Sequence, residues 1–300
     1  MKMRMLAVPA VLSLGLLTAC GSSAASEAGK SEKAQPGSQI TAEKDEAVAS
    51  QVPEEFKDGV NVAVYSDWAP EEYVEEGEFK GWSVQLAQIW SQKMGAEFEL
   101  NASGFDSIIP GLGNNRYDMA VASLGVTDER LKSLDFVPMQ KEGTSFAWAK
   151  SKPDNAVSAV EDVCGGTVAV LTGAWEYDYL TTNNEKICGD EPMDVQQFKD
   201  QPSAELAVTS GRVDYVAAGS GKLGYAAKQS GSLVVGDFIV DAVYNGVGIP
   251  KDSPLGPVLR DAMQSAIDDG SYGELRREWG ASEQGDLKKA VLITEDNPNG

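Results

Sequence analysis

The chain contains no histidine. That removes Ser-His-Asp and Cys-His nucleophilic arrangements, and any His-ligated zinc, from the chemistry open to it. Cysteine is scarce, with three in 300 residues, at positions 20, 164 and 188. Basic side chains are few: 25 Lys and Arg stand against 46 Asp and Glu. Such a surface repels nucleic acid and anionic lipid headgroups, so both are excluded as partners. The acidity favours solubility and by itself names no ligand. A hydrophobic fraction of 42%, with aromatics throughout, marks a globular rather than a disordered chain.

What is present begins at the N-terminus. Lys2 and Arg4 form a short basic start, and Leu6 to Leu17 is apolar and uncharged. This run falls short of the ~20 residues that span hydrocarbon, so it is expected to be a signal peptide, residues 1–19. Its ending, Leu17-Thr18-Ala19-Cys20, resembles the lipobox of bacterial lipoproteins. The resemblance implies that Cys20 is acylated (palmitate) and becomes the new N-terminus. The protein is then expected on the extracytoplasmic side of the cell membrane, held there by a lipid anchor. Loss of residues 1–19 removes Lys2 and Arg4 and no acid, leaving a formal charge of −23. Residues 20–52, with Ser, Ala, Gly, Glu and Lys prominent and no aromatic, are expected to be the lipidated Cys and a flexible spacer. Cys164 and Cys188, the remaining pair in an exported chain, are expected to form a disulfide worth about 3 kcal/mol on the loop-entropy view.

The globular part begins near Val52-Pro53, and strand and helix patterns alternate along it. Val60 to Tyr65 is a strand. Gly81 to Gly95 places Trp82, Leu86, Ile89, Trp90 and Met94 on one helical face, with Gly95 as a C-terminal stop. Glu97 to Leu100 reads as a strand, Asp106 to Leu112 as a helix capped by Asp106, and Asp118 to Ser123 as a buried strand. Thr127 caps a helix opened by Asp128-Glu129-Arg130. Thr167 to Leu171, Met193 to Phe198, Val213 to Ala217, Leu233 to Val235 and Val243 to Ile249 follow as strands. Ser203 to Thr209, Lys222 to Gln229, Leu255 to Asp269 and Tyr272 to Trp279 read as helices. The alternation predicts an α/β fold with mostly parallel sheets.

Several of these segments together resemble one family, the type 2 periplasmic solute-binding proteins of polar amino-acid ABC importers. The matching stretches are Gly81-Trp82-Ser83-Val84-Gln85-Leu86-Ala87, Phe105 to Leu112, and Tyr117-Asp118 through Ser123. They continue with Thr127-Asp128-Glu129-Arg130, Asp135-Phe136, Gly211-Arg212-Val213-Asp214, Asp269 to Tyr272 and Arg277 to Gly280. The resemblance implies a two-lobed fold of mostly parallel sheets flanked by helices, with two hinge crossings near Trp148 and near Asp241 to Tyr244. Lobe 1 would hold residues 53–148 plus 243–290, lobe 2 residues 149–242, and 291–300 would be a C-terminal tail. Both cysteines of the disulfide would lie in lobe 2. The implied role is a monomeric, non-enzymatic component that captures a small polar solute with a carboxylate, closes around it and delivers it to an ABC permease. No cofactor or metal is implied. A ligand sensor, or an enzyme on the same fold, is the alternative.

The resemblance also assigns site residues. Arg130 falls where the family binds a ligand α-carboxylate, a task its planar cationic fork suits; pairing with Glu129 or Asp135 is the structural alternative. Ser123 and the backbone at Gly125 would assist it. Trp68 and Phe105 would form aromatic walls, with core packing as the alternative. Two positions depart from the family. Trp175 stands where a hydroxyl is usual. Gly219, in Gly219-Ser220-Gly221-Lys222, stands where an Asp usually holds the ligand's α-ammonium. A buried ammonium without an anion is costly. The ligand is therefore expected to be betaine-like, caged by Trp68, Phe105 and Trp175, or to carry a second acid on an anion nest at 219–222. A primary-amine ligand would need Glu176, Asp178 or Asp67 as substitute acid.

Overall fold

A computed structural model describes residues 41–280 and 285–300. The signal peptide, Cys20 and the spacer as far as residue 40 lie outside the described residues. The last part of the expected spacer is folded. Asp45 caps a short helix, Glu46–Ala49 (α1), by accepting from the backbone N–H groups of Ala47 and Val48. Val48 and Val52 are buried in the first hydrophobic core, and Ser265 donates to the Asp45 carboxylate. The folded body thus includes residues before Pro53, with Val48 and Val52 docking this stretch through their buried side chains.

Val60–Tyr65 (β1) buries every residue but Asn61. Asp67–Trp68 (β2), Glu72–Glu75 (β3) and Glu78–Lys80 (β4) form a small antiparallel sheet of their own. Trp82–Met94 (α2) ends as expected at Gly95, which takes the left-handed conformation at φ +62° that glycine adopts without strain. Phe98–Ser103 (β5) precedes Phe105–Gly113 (α3). Here Gly104, not Asp106, is the N-cap; Asp106 sits one residue inside the helix and exposed. Met119–Gly125 (β6), fully buried, leads to Asp128–Leu131 (α4) and then to Leu134–Ala149 (β7).

The second lobe holds Thr167–Leu171 (β8), Trp175–Cys188 (α5), Asp194–Phe198 (β9), Gln201–Thr209 (α6), Tyr215–Gly219 (β10), Ser220–Ser230 (α7) and Leu233–Val235 (β11). Val240–Pro250 (β12) returns to the first lobe, followed by Leu255–Asp268 (α8) and Ser271–Glu278 (α9).

The main sheet runs β5-β1-β6-β12-β7-β10-β8-β9, with β11 also on β7. Each lobe supplies a parallel set, β1 with β5 and β6, and β8 with β9 and β10. The crossing strands β7 and β12 pair antiparallel with each other and with their neighbours. β7 changes partner at Thr144, from β12 to β10. Trp148 lies four residues beyond that change and shares a core cluster with Phe146, Val157 and Val163. Along β12 the register shifts between Val240 and Val243, and Asp241 has φ +50°.

A first core cluster lies on one face of the first lobe and a third within the second. Another runs through both, joining Tyr65, Phe105 and Leu124 to Leu171, Ala174 and Ala204. The Cys164–Cys188 disulfide is formed, tying the end of α5 to the chain entering β8. The expected C-terminal tail is also docked: Ile293 is fully buried, and it exchanges two backbone hydrogen bonds of 2.9 Å with Phe136.

Candidate functional site

Arg130 begins from local capping. Thr127 Oγ1 accepts from the Arg130 backbone N–H at 3.3 Å, which turns the side chain toward the lobe interface. Only 7% of the residue is exposed. Its Nη1 donates to the Gly125 carbonyl at 2.6 Å, and its Nη2 donates to the Gly173 carbonyl of the other lobe at 2.7 Å. The Phe105 ring lies beneath the guanidinium, 5.9 Å from its carbon. Burial lowers the Arg130 pKa to about 10, with Glu176 and Asp178 opposing the shift, so the group is charged at neutral pH. The helix α4 is only four residues long, so attraction for an anion here comes from the guanidinium rather than from a helix end.

The aromatic positions gather around it. Tyr65 links Trp68 and Phe105, with ring centroids 6.3 and 5.4 Å away. Trp175 opens α5 and lies directly on Gly125: a Cβ at 125 would come within 2.8 Å of the indole. Trp68 and Trp175 are nearly fully buried, and neither indole N–H has a hydrogen-bond partner. The Tyr65 hydroxyl accepts from the Gln201 backbone N–H at 3.4 Å, another link between lobes.

Ser123 sits in β6 at φ +45°, an unusual backbone for a serine. Its hydroxyl donates to the Glu72 carboxylate at 2.9 Å. Ser83 donates to the same oxygen at 2.5 Å, and the Ser123 carbonyl accepts from Asn245 Nδ2 at 2.7 Å. Glu72 is completely buried and its pKa is pushed up to about 8, chiefly by burial. The expected ligand hydroxyl is therefore already committed to a carboxylate of this chain.

Position 219 is the largest revision. Glu142, on the crossing strand β7, places Oε2 within 2.7 Å of where a Cβ on Gly219 would stand. Its Oε1 accepts from the Gly221 backbone N–H at 2.7 Å. The cleft does not lack an acid there; β7 supplies one across the space that a side chain at 219 would fill. The same bond occupies the Gly219–Lys222 turn, and Lys222 pairs with Glu205 at 2.7 Å. The expected anion nest thus holds the protein's own carboxylate.

Three further acids were not singled out from sequence, or only in passing. Glu71, 2% exposed, follows the β2 turn, and its carbonyl is met so closely by Gly81 (φ +119°) that a Cβ there would lie 2.0 Å away. Its pKa is raised well above the usual carboxylate range by burial and by Glu142 and Glu72. Glu176 is 1% exposed and neither of its oxygens meets a donor from another residue; burial pushes its pKa up to about 8. Glu142 itself is raised by burial, against the pull of the Gly221 N–H and Arg276. Of the other substitute acids, Asp67 and Asp178 are exposed. The signal that could have found Glu142 is its setting, a lone acid in the strand-forming stretch from Phe136 to Ala149.

Residues 60–282 match the family of bacterial extracellular solute-binding proteins, family 3, and the chain belongs to that family. It is 30% identical over 223 residues to the arginine-binding protein ArgT of Corynebacterium glutamicum, covering 72% of each chain. It is 25% identical to the arginine-binding extracellular protein ArtP of Bacillus subtilis, over 73% of this chain and 85% of that one. Among solved structures it resembles the arginine-, lysine-, histidine-binding protein ArtJ of Geobacillus stearothermophilus. That likeness has a TM-score of 0.66 at 25% identity, over 76% of this chain and 96% of the other. The protein is a two-lobed solute-binding protein of this family.

Proposed function

We propose that this protein captures an amino acid bearing a free cationic group and delivers it to an ABC permease. On this reading it works from the extracytoplasmic face of the membrane, as a lipid-anchored monomer. The carrying observation is the charge arrangement of the lobe interface: one buried guanidinium at one end, and Glu72, Glu142 and Glu176 buried alongside. An α-carboxylate suits Arg130, and an ammonium suits the acids. The Arg130–Gly173 bond crosses between lobes, so opening frees one arm of the fork. A ligand carboxylate then competes with a neutral carbonyl, and its charge-assisted bond is roughly twice as strong. The arginine-binding names of the relatives agree with a cationic solute.

Glu142 removes the reason for expecting a ligand without a primary amine. A betaine-like solute remains the second reading, favoured by the buried, unpartnered Trp68 and Trp175. Thermal unfolding against arginine, lysine, glutamine and glycine betaine separates the two. A true ligand adds roughly 2.7 kcal/mol at a hundredfold excess over Kd. Arg130→Ala is expected to abolish that gain. A variant that still responds fully would sink the carboxylate assignment.

A further inference from the structure

The segment that opens α5 in the second lobe, Gly173 to Trp175, lies on the very groups of the first lobe that the carboxylate reading assigns to a solute. The Gly173 carbonyl accepts from Arg130 Nη2 at 2.7 Å. The same residue stands beside Phe105, whose ring lies 3.9 Å from where a Cβ on Gly173 would be. Two residues on, the Trp175 indole presses on Gly125, with three of its ring carbons within 3.1 Å of the position of a Cβ there. Gly125 in turn holds Arg130 Nη1 through its carbonyl at 2.6 Å. Both terminal nitrogens of the guanidinium are therefore engaged by backbone carbonyls, one from each lobe, and the indole covers the backbone beside them.

This segment is tied down within its own lobe. Thr172 donates twice to the Phe198 carbonyl, from its backbone N–H at 2.8 Å and from its hydroxyl at 3.0 Å. The Ala174 N–H donates to the Leu171 carbonyl at 3.1 Å. Gly173 between them takes φ +79°, a conformation that glycine adopts without steric cost. The Gly173 carbonyl and the Trp175 indole thus advance and withdraw together with the second lobe. A further link closes the same interface: Tyr65, packed on Phe105, accepts from the Gln201 backbone N–H at 3.4 Å.

We infer that Gly173 to Trp175 is an autoinhibitory plug, which latches the lobes closed on Arg130 in the absence of solute and which a solute carboxylate must displace. The inference rests on the carboxylate reading of Arg130 and adds regulation at that site. Carbonyl and carboxylate compete for one guanidinium fork, so a latched molecule does not bind. Apparent affinity is then reduced by the unlatched fraction: with about a tenth of the molecules unlatched, it is about tenfold weaker than the intrinsic affinity. The plug belongs to this chain's departure at Trp175, since a small hydroxyl side chain there could not cover Gly125.

Small-angle X-ray scattering and titration calorimetry on the wild type and Trp175→Ala test this, with arginine and glutamine as probes. The wild type is expected to be as compact without a probe as with one. Trp175→Ala is expected to be larger without a probe, to contract when one is added, and to bind it roughly tenfold more tightly. Tighter binding cannot come from damage to the fold, and Trp175→Phe, which keeps a ring in place, is expected to fall between. Should Trp175→Ala fail to fold, Trp175→Leu carries the same expectation. Equal dimensions of wild type and variant without a probe would overturn the plug, and that comparison needs no ligand. Arginine binding that is unchanged or weakened in Trp175→Ala would overturn it too, and would make the indole a wall of the site. Failure of the carboxylate reading looks different: Arg130→Ala would bind arginine as the wild type does, while Trp175→Ala still expanded without it.

Discussion

The two ends of the lobe interface solve the burial of charge in opposite ways. At Arg130 a single cation is buried, and protein carbonyls from both lobes satisfy it. At Glu71 and Glu142 several carboxyl groups are buried, with pKa values raised by that burial, and among the described residues no salt bridge reaches either of the two. A buried charge is costly unless hydrogen-bonded and paired. The first end is therefore part of what holds the lobes together, whereas the second stores unfavourable charge that a ligand or a proton relieves. Rigidity and recognition have been placed at different corners of one interface.

The largest effect expected at the first end comes from Trp175, the indole that seals Gly125. Trp175→Ala removes a side chain 2% exposed and is expected to destabilise by about 3–5 kcal/mol, measured by denaturant unfolding. A cost below about 1 kcal/mol would mean that the two lobes are not packed there. Reducing the Cys164–Cys188 bond provides a control remote from both ends. It is expected to cost about 3 kcal/mol of stability while leaving affinity for arginine unchanged. A loss of affinity would show that the second lobe's internal rigidity matters to the site.

The pH dependence concerns the second end and has the opposite sign. Glu71, Glu72, Glu142 and Glu176 all have pKa values raised in the folded state, with Glu72 and Glu176 at about 8. The folded protein then binds more protons than the unfolded chain between about pH 4.5 and 8. Stability of the unliganded protein is fully present below that window and falls as pH rises through it. The slope is about 1.4 kcal/mol per pH unit for each extra proton held. Thermal melts from pH 5 to pH 8.5 check this, and Glu72→Gln should flatten the curve. A melting temperature that climbs over this range would contradict the acid-rich account.

Much of the fold was legible because local signals agreed with one another. Val60–Tyr65, Thr167–Leu171 and Leu233–Val235 were found at their bounds, and Gly95 stopped α2 where a left-handed glycine can. No strand was expected over Leu134–Ala149, whose middle holds Pro138, Gln140, Lys141, Glu142 and Gly143, residues of low strand propensity. Pairing with β12 on one side and β10 on the other supports a backbone that propensity alone would not. Glu142 was missed with it.

Sequence by itself determined the class of the protein, through short motifs in order, and the Thr127-capped turn at Arg130, because each depends on neighbours a few residues away. Only the tertiary structure decided which acids count. Glu142 reaches Gly219 from 77 positions earlier, and Glu71 meets Gly221 from the opposite lobe. Burial, the cause of their raised pKa values, is a property of packed surfaces and has no local signature in the chain.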